Sequence, residues 1–249
     1  MTPDEHLELL RTEGLRLAAM PADALGAAVP TVPGWTLERV VRHTGKVHRW
    51  VAATLAAGPD APLAPGDDVE SLPRGPECLP AYREALDAVI AELSAHDFDR
   101  AAPTFVGPGT VRFWARRQAH EVAVHRVDAA DAVHAAGGGA PESVDARGAA
   151  DGVDEWARLM LVRALPEVPQ ALHGKTVHLH GTDTPDAEWL LGFGPDGVHV
   201  EAGHAKGDVA VRGTAEELLL AVWRRRPLAA LEMFGDVDLA HRMVDAARI

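Results

Sequence analysis

The chain has 249 residues, 47% of them apolar, which is enough for two domains and gives no sign of global disorder. Its net charge of −13 opposes phosphate backbones, and its only basic run is Arg224-Arg225-Arg226, so a nucleic-acid partner is not expected. A single cysteine, Cys78, excludes an internal disulfide and a cysteine-rich metal site. The acidic N-terminus and the lack of about 18 uninterrupted apolar residues argue against a signal segment or membrane span, and so for a cytoplasmic protein.

The first predicted helix covers 2 to 20. Thr2 caps it, Pro3 suits its first turn, and Glu5 completes a capping box. Leu7, Leu10, Gly14 and Leu17 follow helical spacing. "VPTVPGW" interrupts the chain at 29 to 35, and Thr36 caps a second helix with the apolar stripe Val40, Val41, Thr44, Val47, Val51 and Leu55. A loop rich in proline, glycine and aspartate covers 58 to 76. A third helix, 77 to 95, carries Leu79, Tyr82, Leu86, Val89, Ile90 and Leu93, and a fourth runs from 110 to 135. Four amphipathic helices joined by turns predict a four-helix bundle over 1–137.

"AAGGGAPES", 135 to 143, reads as a linker. Residues 146 to 164 read as helix. "KTVHLHGTD" then alternates Val177 and Leu179 against His178 and His180, and "AEWLLGF" and "VHVEAG" flank a Gly-Pro-Asp-Gly hairpin signal. "GDVAVRG" alternates again. Thr214 and Glu217 open another capped helix, and a last helix covers 236 to 248. This pattern predicts a small antiparallel sheet with helices over 145–249, making the whole chain a two-domain α+β protein.

The chemistry concentrates in "RQAHEVAVHRVDAA", 117 to 130. His120 and His125 are five apart, about 140° around a helix, which rules out the His-Glu-x-x-His zinc protease signature. Glu121 and His125 are four apart and share a face, so they can share an ion. A third ligand must come from another helix, and His43 and His48 flank the stripe of the second helix on opposite sides; pattern alone does not choose between them. A His, a Glu and a His suit zinc with a vacant fourth position, although nickel, iron and manganese accept the same atoms. Asp128, three residues after His125, can hold that ring's far nitrogen, although an aspartate so placed is more often a helix-surface charge. Against this, a Glu and a His four apart are commonly surface neighbours. His48 and His120 read as surface or hydrogen-bonded histidines, and His178, His180, His199 and His204 as solvated strand residues. Cys78, at the start of the third helix, reads as a partly buried bystander.

"VPGWTLERVVRHTGKVHRW", "RRQAHEVAVHRVDAA" and "VRGTAEELLLAVWRRRPLAALEMFGD" resemble, in order, three segments of the mycothiol-dependent maleylpyruvate isomerase family. The resemblance implies a DinB-like metal-binding bundle followed by a sterol-carrier-like α+β domain. It implies His43, Glu121 and His125 as ligands of a divalent metal, usually zinc, and so selects His43 over His48. It also implies arginine in binding or catalysis, which falls on Arg225 or Arg226, and mycothiol as the thiol. The expected activity is cis-trans isomerisation of a small acidic electrophile such as maleylpyruvate, or S-transfer to one. A metal-dependent hydrolase and a non-catalytic metal-binding or regulatory protein are the alternatives. The expected partners are a small thiol and a small acidic or electrophilic substrate; a monomer is compatible with the sequence.

Overall fold

The computed structural model describes residues 1–247. The chain divides into two compact units, Met1–Glu142 and Ser143–Ile249.

The first unit is built on four helices: α1 (Pro3–Ala18), α2 (Leu37–Ala57), α3 (Cys78–Ser94) and α4 (Val111–Ala135). Local sequence sets their starts. The Thr2 and Glu5 side chains each bond the other residue's backbone N–H, completing the capping box of α1, and Thr36 accepts from the Arg39 N–H to open α2. α1 packs on α4 and α3, and α2 packs on α3 and α4. Leu10, Leu17, Val40, Val41, Val51, Leu86, Val89, Leu93 and Trp114 fill the shared core. Gly14 lets α1 approach α3 closely, because a Cβ there would lie 2.6 Å from a Leu86 methyl. The α2 stripe follows the predicted one except at its edge: Val47 is only half-buried and His48 is buried in the interior.

A hairpin not predicted from the sequence precedes α4. Its strands, β1 (Ala101–Thr104) and β2 (Gly107–Thr110), pair antiparallel around a two-residue turn. Four-residue strands containing Pro103 and Pro108 carry too little alternation to be recognised. The hairpin is tied to α4 by Trp114 Nε1, which donates to the Pro103 carbonyl at 3.0 Å.

The second unit opens with α5 (Ala146–Glu155), a π-helical turn (Trp156–Leu161) and a last turn, α6 (Val162–Ala164). Then come β3 (Lys175–Gly181), β4 (Glu188–Gly194), β5 (Gly197–Ala202), β6 (Val209–Gly213), α7 (Ala215–Val222), β7 (Glu232–Gly235) and α8 (Val237–Ala246). The predicted last helix ends earlier than expected, and its final residue, 248, lies outside the described residues. The strands form one sheet in the order β5-β4-β3-β6-β7. Val177, Leu179, Trp189, Leu191, Phe193, Val209 and Val211 are buried on one face, and α7 packs on β3 and β6. The sheet is not wholly antiparallel as expected. β6 runs parallel to β3, with Val177 opposite Val209 and Gly181 opposite Gly213. Alternation reports which face a residue takes but not strand direction. The chain leaves β5, crosses two strands and enters beyond β3, and that crossover makes the pair parallel.

Candidate metal centre

α4 presents Arg117, Glu121, His125 and Asp128 in successive turns on one side, and α2 presents His43. The predicted trio converges. His43 Nε2 lies 3.2 Å from Glu121 Oε1, and His125 Nε2 lies 3.4 Å from the same oxygen. One ligand atom from each of the three residues lies within 4.8 Å of the others. The remaining atoms are held from behind. Arg117 Nη2 donates to Glu121 Oε2 at 2.6 Å. His125 Nδ1 lies 3.0 Å from Asp128 Oδ2, which leaves Nε2 facing Glu121. Trp35 stacks on His125, with ring centroids 5.7 Å apart and planes 11° apart, and meets His43 edge-on at 5.0 Å. The Arg39 guanidinium lies over the Trp35 ring, its carbon 4.8 Å from the centroid.

Arg117 and Trp35 were not assigned roles from the sequence. Arg117 had a signal, since it stands four residues before Glu121 on the same face. Trp35 had none, because it precedes the helix and its direction depends on the turn at 29 to 36.

Accessibility falls across the trio: the His43 side chain is 39% exposed, Glu121 17% and His125 11%, so the cluster opens on its His43 side. Burial favours the neutral Glu121 carboxyl, but the His125 charge, hydrogen bonds from both histidines and the Arg117 guanidinium outweigh it and hold the group well below the usual carboxylate range. Burial likewise disfavours a charged His125, but Glu121 and Asp128 overcome it and raise its pKa. The donor set therefore fits a divalent cation: two imidazole nitrogens and an ionised carboxylate oxygen, with a carboxylate behind one ring. Ligation would require His125 to give up its proton.

His48 and His120 are not members of this cluster. His48 is buried, its Nδ1 2.7 Å from Gln118 Oε1 and its Nε2 3.5 Å from the Tyr82 hydroxyl. Burial lowers its pKa to about 4. A neutral ring with the proton on Nδ1 satisfies the Gln118 oxygen. His120 is buried and meets His6 edge-on at 5.8 Å. Cys78 is fully buried, and burial, reinforced by Glu38, raises its pKa to about 11. It is a poor source of thiolate. Arg225 and Arg226 follow α7 in the second unit, both half-buried. Their side chains donate to the main-chain carbonyls of Trp223 and Arg225, at 2.8 and 2.9 Å respectively.

The sequence matches the Mycothiol maleylpyruvate isomerase N-terminal domain over residues 7–130 and the MDMPI C-terminal domain over residues 147–242. The chain belongs to the mycothiol-dependent maleylpyruvate isomerase family. Solved structures agree with this fold. A crystal structure of the mycothiol-dependent maleylpyruvate isomerase is 13% identical, with a TM-score of 0.59 and 88% of each chain covered. A crystal structure of a histidine-to-alanine mutant of such an isomerase is 14% identical, with a TM-score of 0.57 and the same coverage. No curated protein matches the sequence. No helix among the described residues is long and apolar enough to cross a membrane.

Proposed function

We propose that this member of the maleylpyruvate isomerase family is a metal-dependent enzyme that uses a small thiol, of the mycothiol type, to isomerise a small acidic cis-alkene such as maleylpyruvate. One observation carries the reading: the donor atoms of His43, Glu121 and His125 converge from two helices, with Asp128 behind His125. His43 Nε2, His125 Nε2 and Glu121 Oε1 would hold the cation, with zinc the best match to two nitrogens and an oxygen. When bound, it would favour the thiolate over the thiol near neutral pH.

The chain's own groups serve the rest. Arg117 fixes the Glu121 carboxylate and, with His125 and His43, keeps it ionised. Asp128 selects the His125 tautomer. The exposed edge of His43 leaves an approach from solvent, and the Trp35 indole packs against both rings. The thiol must come from a small molecule, because Cys78 is buried and its thiol is held protonated. In the reaction, sulfur adds to one alkene carbon and the π electrons move onto the conjugated carbonyl. The resulting single bond rotates, and the electrons return as sulfur leaves, giving the trans alkene with no net redox change. Arg225 and Arg226 are the family-implied partners for a substrate carboxylate.

The test is metal content and thiol binding in wild type and His43→Ala. The variant is expected to lose the cation bound at this cluster, and with it thiol binding and turnover. A folded His43→Ala protein that keeps both would refute the assignment.

A further inference from the structure

The second unit carries another constellation, on the sheet face opposite its core. His178 and His180, two apart in β3, share that face, and His180 stands opposite Glu188 of β4. Beyond β5, Gly203 takes φ +111° and donates its N–H to the Glu188 carbonyl at 2.9 Å, and His204 follows immediately. Three imidazoles then meet one carboxylate oxygen. Glu188 Oε2 lies 2.9 Å from His178 Nε2, 3.1 Å from His180 Nδ1 and 2.7 Å from His204 Nδ1. One ligand atom from each of the four residues lies within 4.8 Å of the others.

Hydrogen bonding alone accounts poorly for this convergence. A carboxylate oxygen offers about two lone-pair sites, and three ring nitrogens crowd this one. The geometry points to a second divalent-cation site, built by His178, His180, Glu188 and His204, separate in sequence and in fold from the cluster of α2 and α4. Three nitrogens and one oxygen are a zinc-type set, and four protein ligands close a tetrahedral shell, as in structural rather than catalytic sites.

The path of the chain gives the site its task. Between β5 and β6 only residues 203–208 must carry the backbone past β4 and β3. Three strand spacings are about 14 Å, and the chain must also shift along the strands, from beside Glu188 to beside Val177; seven Cα steps of about 3.8 Å suffice to pass over a sheet face. The crossover lies over the face bearing His178, as the position of Gly207 shows. A Cβ on Gly207 would come within 2.9 Å of the His178 backbone nitrogen, and His178 is only 4% exposed. One end of the crossover is already fastened: Asp208 Oδ2 accepts from the Thr176 N–H at 2.8 Å and from its hydroxyl at 2.9 Å. A cation shared by His204, β3 and β4 fastens the other end. The exposed His204 ring provides its entry.

Zinc titration of the metal-stripped, untagged full chain against a chromophoric competitor tests this. Wild type, His43→Ala and H180Q/H204Q are compared. Wild type should bind two equivalents and each variant one. Zinc should still raise the Tm of His43→Ala protein, and adding H180Q/H204Q to that background should abolish the rise. The cost to zinc affinity at this site should exceed about 100-fold, beyond what outer-shell changes produce. His204 is exposed, so His204→Gln alone, checked by circular dichroism, provides a variant that folds. If the α2–α4 cluster binds no zinc, wild type will hold one equivalent that H180Q/H204Q removes; that result upholds this site while sinking the other. A zinc stoichiometry unaltered by H180Q/H204Q, or a His43→Ala protein that binds none, overturns it.

Discussion

Asp128 provides a graded test of how the α2–α4 cluster is organised. Its carboxylate is fully buried and lies 3.0 Å from His125 Nδ1, while the Thr31 hydroxyl donates to its other oxygen at 3.5 Å. In Asp128→Asn the amide oxygen can still accept from Nδ1–H. Ring orientation survives and only the charge is lost. In Asp128→Ala both are lost, and the imidazole can rotate or change tautomer. Changes to such outer partners weaken metal binding about 10- to 100-fold, or about 1.4–2.7 kcal/mol. The isosteric Asn variant belongs near the lower bound and the Ala variant near the upper. Competition titration with a chromophoric chelator at fixed pH reads the affinity, in the H180Q/H204Q background so that only one site reports. An Ala variant that binds zinc as tightly as its parent would refute the claim that Asp128 positions His125. Equal losses in both variants would show that charge, rather than orientation, is what Asp128 contributes.

Two further outcomes follow from groups beside the cluster. His48 has a folded pKa of about 4 against 6.5 when unfolded, so between those values the unfolded chain binds the extra proton. The stability that neutral, buried His48 contributes is complete above pH 6.5 and is lost as pH falls toward 4, by about 3 kcal/mol at most. Urea unfolding across this range should show a shallower decline in His48→Gln than in wild type; parallel profiles would contradict it. Cys78, with its pKa raised to about 11, should alkylate slowly at pH 7.5, and Cys78→Ala should retain thiol-dependent turnover. A folded but inactive Cys78→Ala protein would put the nucleophile back in the chain.

Residues near each other in sequence made much of this architecture legible. Thr2 with Glu5, Thr36, and Thr214 with Glu217 mark helix starts by chemistry confined to a single turn, and the structure places caps at all three. The Glu121–His125 spacing likewise determines that the two share a side of α4. What spacing could not choose was the partner helix's histidine. His43 and His48 flank the same stripe, and the choice depends on how α2 is rotated against α3 and α4, a property of packing rather than of α2 alone. The rotation buries His48 against Gln118 and Tyr82 and leaves His43 facing Glu121.

The same limit explains the histidines of the sheet. His178, His180 and His204 alternate with apolar residues or follow a strand, so each read as a solvated strand position. That inference assumed that the face opposite the core was open. It failed at His178, which is buried, because a six-residue crossover lies over that face, and nothing in "GHAKGD" indicates which strands it must pass. Strand order is a non-local fact. Once β6 is placed beyond β3, the short connection has to cross β4 and β3, His204 is carried to Glu188, and three polar residues that alternation assigns to solvent become neighbours around one carboxylate. Exposure can be read from alternation only where the connections leave a face uncovered.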